Sequence, residues 1–264
     1  MSTSYHRVVR AAEELATRHH APYDPSHDVH HVSRVTSLAL LVAASLELSG
    51  PEPDRPSLDL LVVHLSALFH DLLDSKYLPP LAPGEAAPTP RSRLEPFWND
   101  FSNDEITPEQ QRLVERIVDN VSYSKEVKRR RGELGGITQW HQTCRELHCV
   151  QDADKLDAIG AFGIMRCSAY SAVSNRPLFA PSPASSSSSS SATADDDMFP
   201  PKVAPGADAI SHFHDKLVKL EGMMKTNKGK ELAKKRTERL RQFIDWVDDE
   251  WLEVEQGRQG IKEP

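Results

Sequence analysis

Residues 58–74 read "LDLLVVHLSALFHDLLD". Their apolar residues recur at helical spacing and predict a helix from about Ser57 to Asp74 that is largely buried. Two polar residues, His70 and Asp71, stand side by side at its end, where a core would prefer leucine. They are either polar residues tolerated at a helix edge or half of a metal site whose other ligands lie elsewhere in the chain.

Helical periodicity extends through most of the remaining sequence. Candidate helix starts are Asp28, which fits an N-cap, and Thr107, which forms a capping box with Gln110. We identify no strand alternation, nucleotide-binding glycine motif or internal repeat. The sequence predicts an all-α fold. The further helical segments are predicted at residues 4–20, 29–50, 107–130, 144–173, 210–224 and 230–256.

A serine run, prolines and an acidic triplet interrupt this pattern at about residues 180–200. Such a composition buries too little apolar surface to offset the entropy of ordering. We therefore predict a single domain over residues 5–255 that contains a disordered insertion at 180–200.

Composition restricts the function classes. The chain has 32 basic and 39 acidic side chains, a net charge of −7, which argues against a nucleic-acid polymer as partner. Three cysteines without a regular framework indicate an intracellular protein, in the cytosol or nucleus. The most apolar run, residues 38–48, is shorter than the roughly 20 residues that span a bilayer, so no membrane partner is expected.

Four residues on three separate helical segments suggest a metal site: His31, His70 with Asp71, and Asp154. Two imidazoles and two carboxylates suit a divalent ion of intermediate hardness, with Mn²⁺ preferred here and Co²⁺, Ni²⁺, Fe²⁺ or Zn²⁺ as alternatives. Such a ligand set leaves coordination positions for water or a phosphate oxygen.

The order of these motifs resembles the HD-domain superfamily of metal-dependent phosphohydrolases, whose signature is H…HD…D. The segments "SHDVHHVSRV", "LFHDLLDSKY", "VSYSKE", "VQDADKLDAIGAFGIMR" and "HFHDKLVKL…MKT" occur in the order of a branch that includes bacterial nucleoside-triphosphate pyrophosphohydrolases. The resemblance implies that His31, His70, Asp71 and Asp154 are the metal ligands and that the substrate is a nucleotide. It also favours Asp154 over Asp152, which either orients a histidine or simply caps a helix or is solvated.

Catalytic roles are predicted for two further residues near these motifs. His27 is interpreted as a phosphate contact or proton donor, whereas its neighbour Asp28 fits a helix cap. Asp74, three residues after Asp71, is expected to position the attacking water or to hold His70, the alternative being an ordinary helix-end partner. His30 is expected at the surface, and His64 in the core.

Basic side chains are the candidates for phosphate binding. For Arg34, Lys125 and Arg166 the alternative is a surface salt bridge. The candidates are Lys76, Arg34, Lys125, Arg166 and Lys216.

The sequence thus predicts hydrolysis of a phosphoester or phosphoanhydride bond in a small phosphate-containing molecule by metal-activated water, and the resemblance implies that this molecule is a nucleotide. The alternative is a non-catalytic metal and nucleotide sensor on the same scaffold. A two-metal phosphodiesterase is disfavoured, because only His141 and His148 lie between the HD pair and Asp154. The oligomeric state is not predicted.

Overall fold

A computed structural model describes residues 3–48, 57–74, 76–78, 82, 84, 86–180 and 208–262, with side chains described as far as residue 257. This part of the chain folds into α-helices and contains no strand, so the all-α prediction is confirmed. Most of the insertion predicted at residues 180–200 lies outside the described residues.

The described helices differ in length from five to 36 residues. They are α1 (Thr3–His20), α2 (Val29–Leu48), α3 (Leu60–Leu68), α4 (Pro90–Trp98), α5 (Pro108–Asn120), α6 (Tyr123–Arg130), α7 (Gln139–Thr143), α8 (Arg145–Asp157), α9 (Gly160–Val173), α10 (Ala209–Asp215), a 3₁₀ helix (Leu217–Met223) and α11 (Asn227–Lys262).

Local side-chain chemistry sets several helix starts. Asp59 caps α3 by accepting hydrogen bonds from the backbone N–H groups of Leu61 and Val62. The predicted capping box between Thr107 and Gln110 is present at the start of α5. The side chain of Asp28 accepts from the backbone N–H of His31, as expected of a cap for α2.

The predicted helix from Ser57 to Asp74 is too long. Helix α3 ends at Leu68, and residues 70–73 continue as turns, with Leu72 and Asp74 each donating a backbone N–H three residues back. This early end matters for the site because it releases His70 and Asp71 from helical geometry. In a helix, adjacent side chains point about 100° apart.

Three other predicted helices are divided in the structure. The segment 144–173 breaks before Gly160, whose φ of +73° belongs to the left-handed region that glycine tolerates. The segment 107–130 is split between α5 and α6, and the segment 210–224 between α10 and the 3₁₀ helix.

Helix α8 connects two apolar clusters. Its residues Leu147, Val150 and Ala153 belong to a core formed with α1 to α5, whereas Leu156 belongs to a second core formed with α10, the 3₁₀ helix and α11. Helices α2 and α3 pack along α8 in the first core. The start of α2, the end of α3 and the last turn of α8 therefore converge.

Within the described residues, α2 is long and apolar enough to cross a membrane by length and composition alone. The apolar run at 38–48 is thus part of a 20-residue helix. Val32, Val35, Ala39 and Val42 of this helix are fully or almost fully buried in the first core. That pattern is typical of a core helix of a folded domain.

Candidate active site

Four side chains meet where α2, α3 and α8 converge. The Nε2 atoms of His31 and His70 lie 3.1 Å apart, and Asp71 Oδ2 lies 3.3 Å from each of them. Asp154 Oδ1 is 3.9 Å from His31 Nε2 and 4.0 Å from His70 Nε2. The structure thus brings together all four residues of the predicted ligand set.

Each of the two imidazole rings has a hydrogen-bond partner at Nδ1 that fixes its tautomer. His31 Nδ1 lies 2.8 Å from Asp157 Oδ2, and His70 Nδ1 lies 2.8 Å from the backbone carbonyl of Ala67. Because both partners are acceptors, each Nδ1 carries a proton, so the neutral form of each ring, the form that binds a metal, presents the Nε2 lone pair to the other ring. Two lone pairs facing each other across 3.1 Å, beside two carboxylates, form a cluster of acceptors that a cation satisfies.

The spacing of these atoms fits a divalent ion. Metal–ligand distances of about 2.0–2.2 Å place neighbouring donors roughly 3.0 to 3.4 Å apart. The three contacts among His31, His70 and Asp71 fall in this range, and the contacts of Asp154 are slightly longer. The imidazoles are fully buried, whereas the side chains of Asp71 and Asp154 are 19% and 25% exposed, so the site opens to solvent on the carboxylate side.

The electrostatics of the site also favour positive charge. Burial by itself would lower the pKa of His70, but the carboxylates of Asp71 and Asp154 outweigh it and raise that pKa to about 9. Burial likewise opposes ionisation of Asp71, yet the two histidines hold its pKa well below the usual range. The cluster therefore stabilises a cation between the carboxylates and the imidazoles.

Asp157 is the residue that sequence reasoning missed. Its fully buried carboxylate accepts from His31 Nδ1, from Arg34 Nε at 2.7 Å and Arg34 Nη2 at 3.0 Å, and from Arg166 Nη1 at 3.2 Å. Although burial opposes ionisation, these donors lower its pKa. A carboxylate behind a metal-binding histidine fixes the ring and increases its basicity.

The two arginines predicted as phosphate contacts are largely engaged with protein groups. Arg34 binds Asp157 through two donors and packs over the ring of Phe162 at 4.6 Å. Arg166 binds Asp157 and also donates from Nε to the backbone carbonyl of Ser26 at 2.6 Å. Both side chains therefore support Asp157 and, through it, His31, while their contact with phosphate stays a prediction.

A second group of polar side chains adjoins the first. His27, Asp71 and Asp74 each place a metal-ligating atom within 4.8 Å of the others. The ammonium of Lys76 lies next to this group, 3.6 Å from Asp74 Oδ2 and 3.5 Å from His27 Nε2. The positive charge nearest to this second group is thus supplied by the chain itself.

The two other lysines predicted as phosphate contacts, Lys216 and Lys125, have different surroundings. The ammonium of Lys216 lies 4.5 Å from the ring centre of Tyr123. Burial lowers the pKa of Lys216, the charge of Lys76 lowers it further, and the charge of Asp154 opposes the shift. Lys125 donates to the carbonyl and the carboxylate of Asp119, at 2.9 and 2.6 Å. This surface ion pair is the alternative that the sequence left open for Lys125.

Asp152 has neither of the roles considered for it. Its buried carboxylate accepts from the backbone N–H groups of Lys225 and Thr226 and from the hydroxyl of Thr226, so it anchors the start of α11 to α8. His30 is exposed, as predicted. His64 is half-buried, and its Nδ1 pairs with the Tyr5 hydroxyl at 2.9 Å.

No protein-family model matches the chain. YpgQ of Bacillus subtilis, described as uncharacterized, is 29% identical over 218 residues, which cover 83% of this chain and 81% of YpgQ. The crystal structure of YpgQ in complex with ADP matches with a TM-score of 0.59 at 25% identity, over 90% of this chain and 97% of that one.

Two further crystal structures share the fold. A Lactobacillus plantarum protein matches with a TM-score of 0.65 at 25% identity, over 92% of this chain and 96% of that one. An HD-superfamily hydrolase of Bacillus thuringiensis matches with a TM-score of 0.59 at 21% identity, over 94% of this chain and 98% of that one. The chain shares the overall fold of these crystal structures, which include that HD-superfamily hydrolase.

The four residues of the predicted ligand set are distributed over the helices in a simple way. His31 lies in the first turn of α2, and Asp154 in the last turn of α8. His70 and Asp71 follow the end of α3 directly. Because α3 and α8 direct their C-terminal ends toward the site, their dipoles add to the preference for a cation there.

Proposed function

We propose that this protein is a member of the HD-domain superfamily and a metal-dependent phosphohydrolase that acts on a nucleotide. The observation that supports this most directly is the convergence of the two imidazole lone pairs of His31 and His70 with the carboxylates of Asp71 and Asp154. That donor set holds a divalent cation and is open to solvent on the carboxylate side.

When bound, such an ion lowers the pKa of water and polarises a phosphoryl oxygen. Asp74 places a carboxylate oxygen within 4.8 Å of one from Asp71 and is the residue proposed to orient the attacking water. Lys76, whose ammonium lies 3.6 Å from Asp74 Oδ2, and Lys216 are the proposed contacts for phosphate, where positive charge stabilises the charge that develops during transfer. Arg34 and Arg166 keep Asp157, and hence His31, in place.

The nature of the substrate is inferred from the relatives. YpgQ was crystallised with ADP and matches this chain over most of both lengths. We extend nucleotide binding to this chain on that likeness, and Mn²⁺ is the proposed ion because the mixed nitrogen and oxygen donors suit it. An intracellular location without a membrane or nucleic-acid partner agrees with the acidic net charge of −7 and the unpaired cysteines.

The test is turnover of a nucleotide panel by the purified protein loaded with Mn²⁺ or Co²⁺. We expect release of phosphate or pyrophosphate by the wild type, and a loss of at least about 100-fold in His70→Ala and Asp71→Ala, since each removes a proposed ligand. His30→Ala is the matched control, because this exposed histidine neighbours His31 without joining the cluster. If the wild type released neither phosphate nor pyrophosphate, the proposed hydrolase activity would be refuted. Nucleotide binding without turnover would favour the alternative function of a non-catalytic sensor.

A further inference from the structure

His27 lies at one end of a short hydrogen-bonded chain that begins at Asp24. Asp24 Oδ1 accepts from the hydroxyl of Ser26 at 2.6 Å, and Asp24 Oδ2 accepts from the hydroxyl of Tyr77 at 2.5 Å. Burial opposes ionisation of Asp24, but these hydrogen bonds lower its pKa, so the carboxylate is ionised at neutral pH and only accepts.

The same two hydroxyls also contact the imidazole of His27. His27 Nδ1 lies 2.7 Å from Ser26 Oγ and 2.9 Å from the Tyr77 hydroxyl oxygen. A hydroxyl has one proton, and both protons are donated to Asp24. His27 Nδ1 must therefore carry a proton itself and donate it to the two oxygens, which leaves Nε2 with a lone pair.

The contact made by the other ring nitrogen, Nε2, requires the same tautomer, with the proton on Nδ1. His27 Nε2 lies 3.5 Å from the ammonium of Lys76, at the long end of hydrogen-bond distances. An ammonium group can only donate, so Nε2 must accept. Lys76 is further held by Asp74 Oδ2 at 3.6 Å and by the ring of Tyr170, whose centre lies 5.2 Å from Nζ.

We propose that Asp24 is a positioning residue: through Ser26 and Tyr77 it fixes the tautomer of His27, whose Nε2 lone pair then holds Lys76 toward the candidate site. The part of this proposal that concerns phosphate rests on the proposed function. Asp24 and Tyr77 had no role in the sequence-based prediction of the site.

This arrangement changes the interpretation of His27. Phosphate oxygens are acceptors, and a lone pair on Nε2 repels them, so His27 in this tautomer is neither a phosphate contact nor a proton donor. Burial lowers the pKa of His27 to about 3; the charge of Asp71 opposes this shift, and the charges of Lys76 and Arg166 add to it, so the ring stays neutral at physiological pH. The positive charge offered to phosphate comes from Lys76.

Nitrogen-15 spectra of the histidine side chains in the full-length protein test the tautomer without any ligand. His27→Gln identifies the signals of His27 by their loss. In the wild type we expect Nδ1 to be protonated and Nε2 unprotonated; the reverse pattern would overturn the proposal. This measurement needs no activity, so it is decided even if no nucleotide is turned over.

In a Lys76→Met background, which removes the ammonium that also requires Nε2 to accept, Asp24→Asn is expected to move the ring proton of His27 from Nδ1 to Nε2. The amide offers one acceptor and one donor, so one hydroxyl is released to donate to His27 Nδ1, and the ring proton moves to Nε2. Tyr23→Phe is the matched control, because Tyr23 stacks on Tyr77 at 4.2 Å but pairs with His19 instead. In that background, an unchanged pattern in Asp24→Asn, or the same proton shift in Tyr23→Phe, contradicts the proposal.

The link to Lys76 is measured by titrating ADP into the Mn²⁺-loaded protein. We expect Asp24→Asn and Lys76→Met each to weaken ADP binding by about tenfold, and the double variant to be no weaker than the worse single one, because both changes act on one ammonium. Additive losses in the double variant would show that Asp24 does not act through Lys76. Failure of the wild type to bind ADP would instead count against the proposed function, and the tautomer result would stand.

Discussion

Replacement of Asp157 by asparagine tests whether metal affinity depends on a residue that does not touch the metal. The asparagine side chain would retain the volume of the aspartate but lose its charge. An amide nitrogen placed at Oδ2 would face donors from His31, Arg34 and Arg166, whereas at Oδ1 it faces only Arg34 Nε. The amide should therefore keep its oxygen toward His31, which preserves that hydrogen bond and removes the negative charge behind the ring.

The expected size of the effect follows from this geometry. Loss of the carboxylate that supports a metal-binding histidine typically weakens metal binding about 10- to 100-fold, or about 1.4 to 2.7 kcal/mol. Because the hydrogen bond to His31 survives in the variant, we expect the lower end, about tenfold. The loss of a charged acceptor for Arg34 and Arg166 also lowers the free energy of unfolding, by about 1.5 to 3 kcal/mol.

Calorimetric titration of the metal-free protein with Mn²⁺ measures the affinity, and urea unfolding measures the stability. Asp152→Asn is the matched control, since Asp152 is an equally buried aspartate of α8 that binds Lys225 and Thr226 and not a histidine. It should lose comparable stability while its Kd for Mn²⁺ stays within about twofold. An unchanged Kd in Asp157→Asn, or an equal loss in both variants, would refute the reasoning.

Three further outcomes follow from contacts around the site. Lys125→Ala should change KM for a nucleotide by less than about twofold, because its ammonium is held in a surface ion pair; a tenfold rise would restore it as a phosphate contact. Glu126→Gln should lower the free energy of unfolding by about 3 kcal/mol at neutral pH, since it leaves the buried ammonium of Lys155 without its carboxylate partner. Burial opposes ionisation of Glu126, yet Lys155 and a second lysine lower its pKa from the usual 4.5 to about 2. The free energies of unfolding of wild type and variant, measured with urea, should therefore converge as the pH falls from 4.5 to about 2 and should stay apart above 4.5. Gly163→Ala should lower Tm, because its Cβ would collide with the backbone oxygen of Ala158, and an unchanged Tm would contradict this.

Helix content and core faces were predictable because periodicity records them directly. Val8, Ala12 and Ala16 line the buried face of α1, as the spacing indicates. Helix ends were less predictable where no cap marks them: apolar spacing continues past Leu68, but Phe69 closes α3 and the next residues turn. Periodicity reports which side chains are apolar, and here the turn residues Leu72 and Leu73 are apolar too.

The ligand set and its supporting residues differ in how far sequence can reveal them. Metal ligands must be particular side chains, so His31, His70, Asp71 and Asp154 are visible as residue types in a recognisable order. Their Nδ1 partners need only be acceptors. For His70 the partner is the carbonyl of Ala67, which any residue supplies, and for His31 it is Asp157, one aspartate among several in "DADKLD". The spacing does contain a weak signal, since Asp157 lies three residues after Asp154 and therefore on the same face of α8. Helix α8 thus presents two carboxylates to His31 from one face: Asp154 lies beside the Nε2 lone pair, and Asp157 accepts from the Nδ1 proton. The second carboxylate fixes the orientation of the imidazole, and the first would share the metal ion with it.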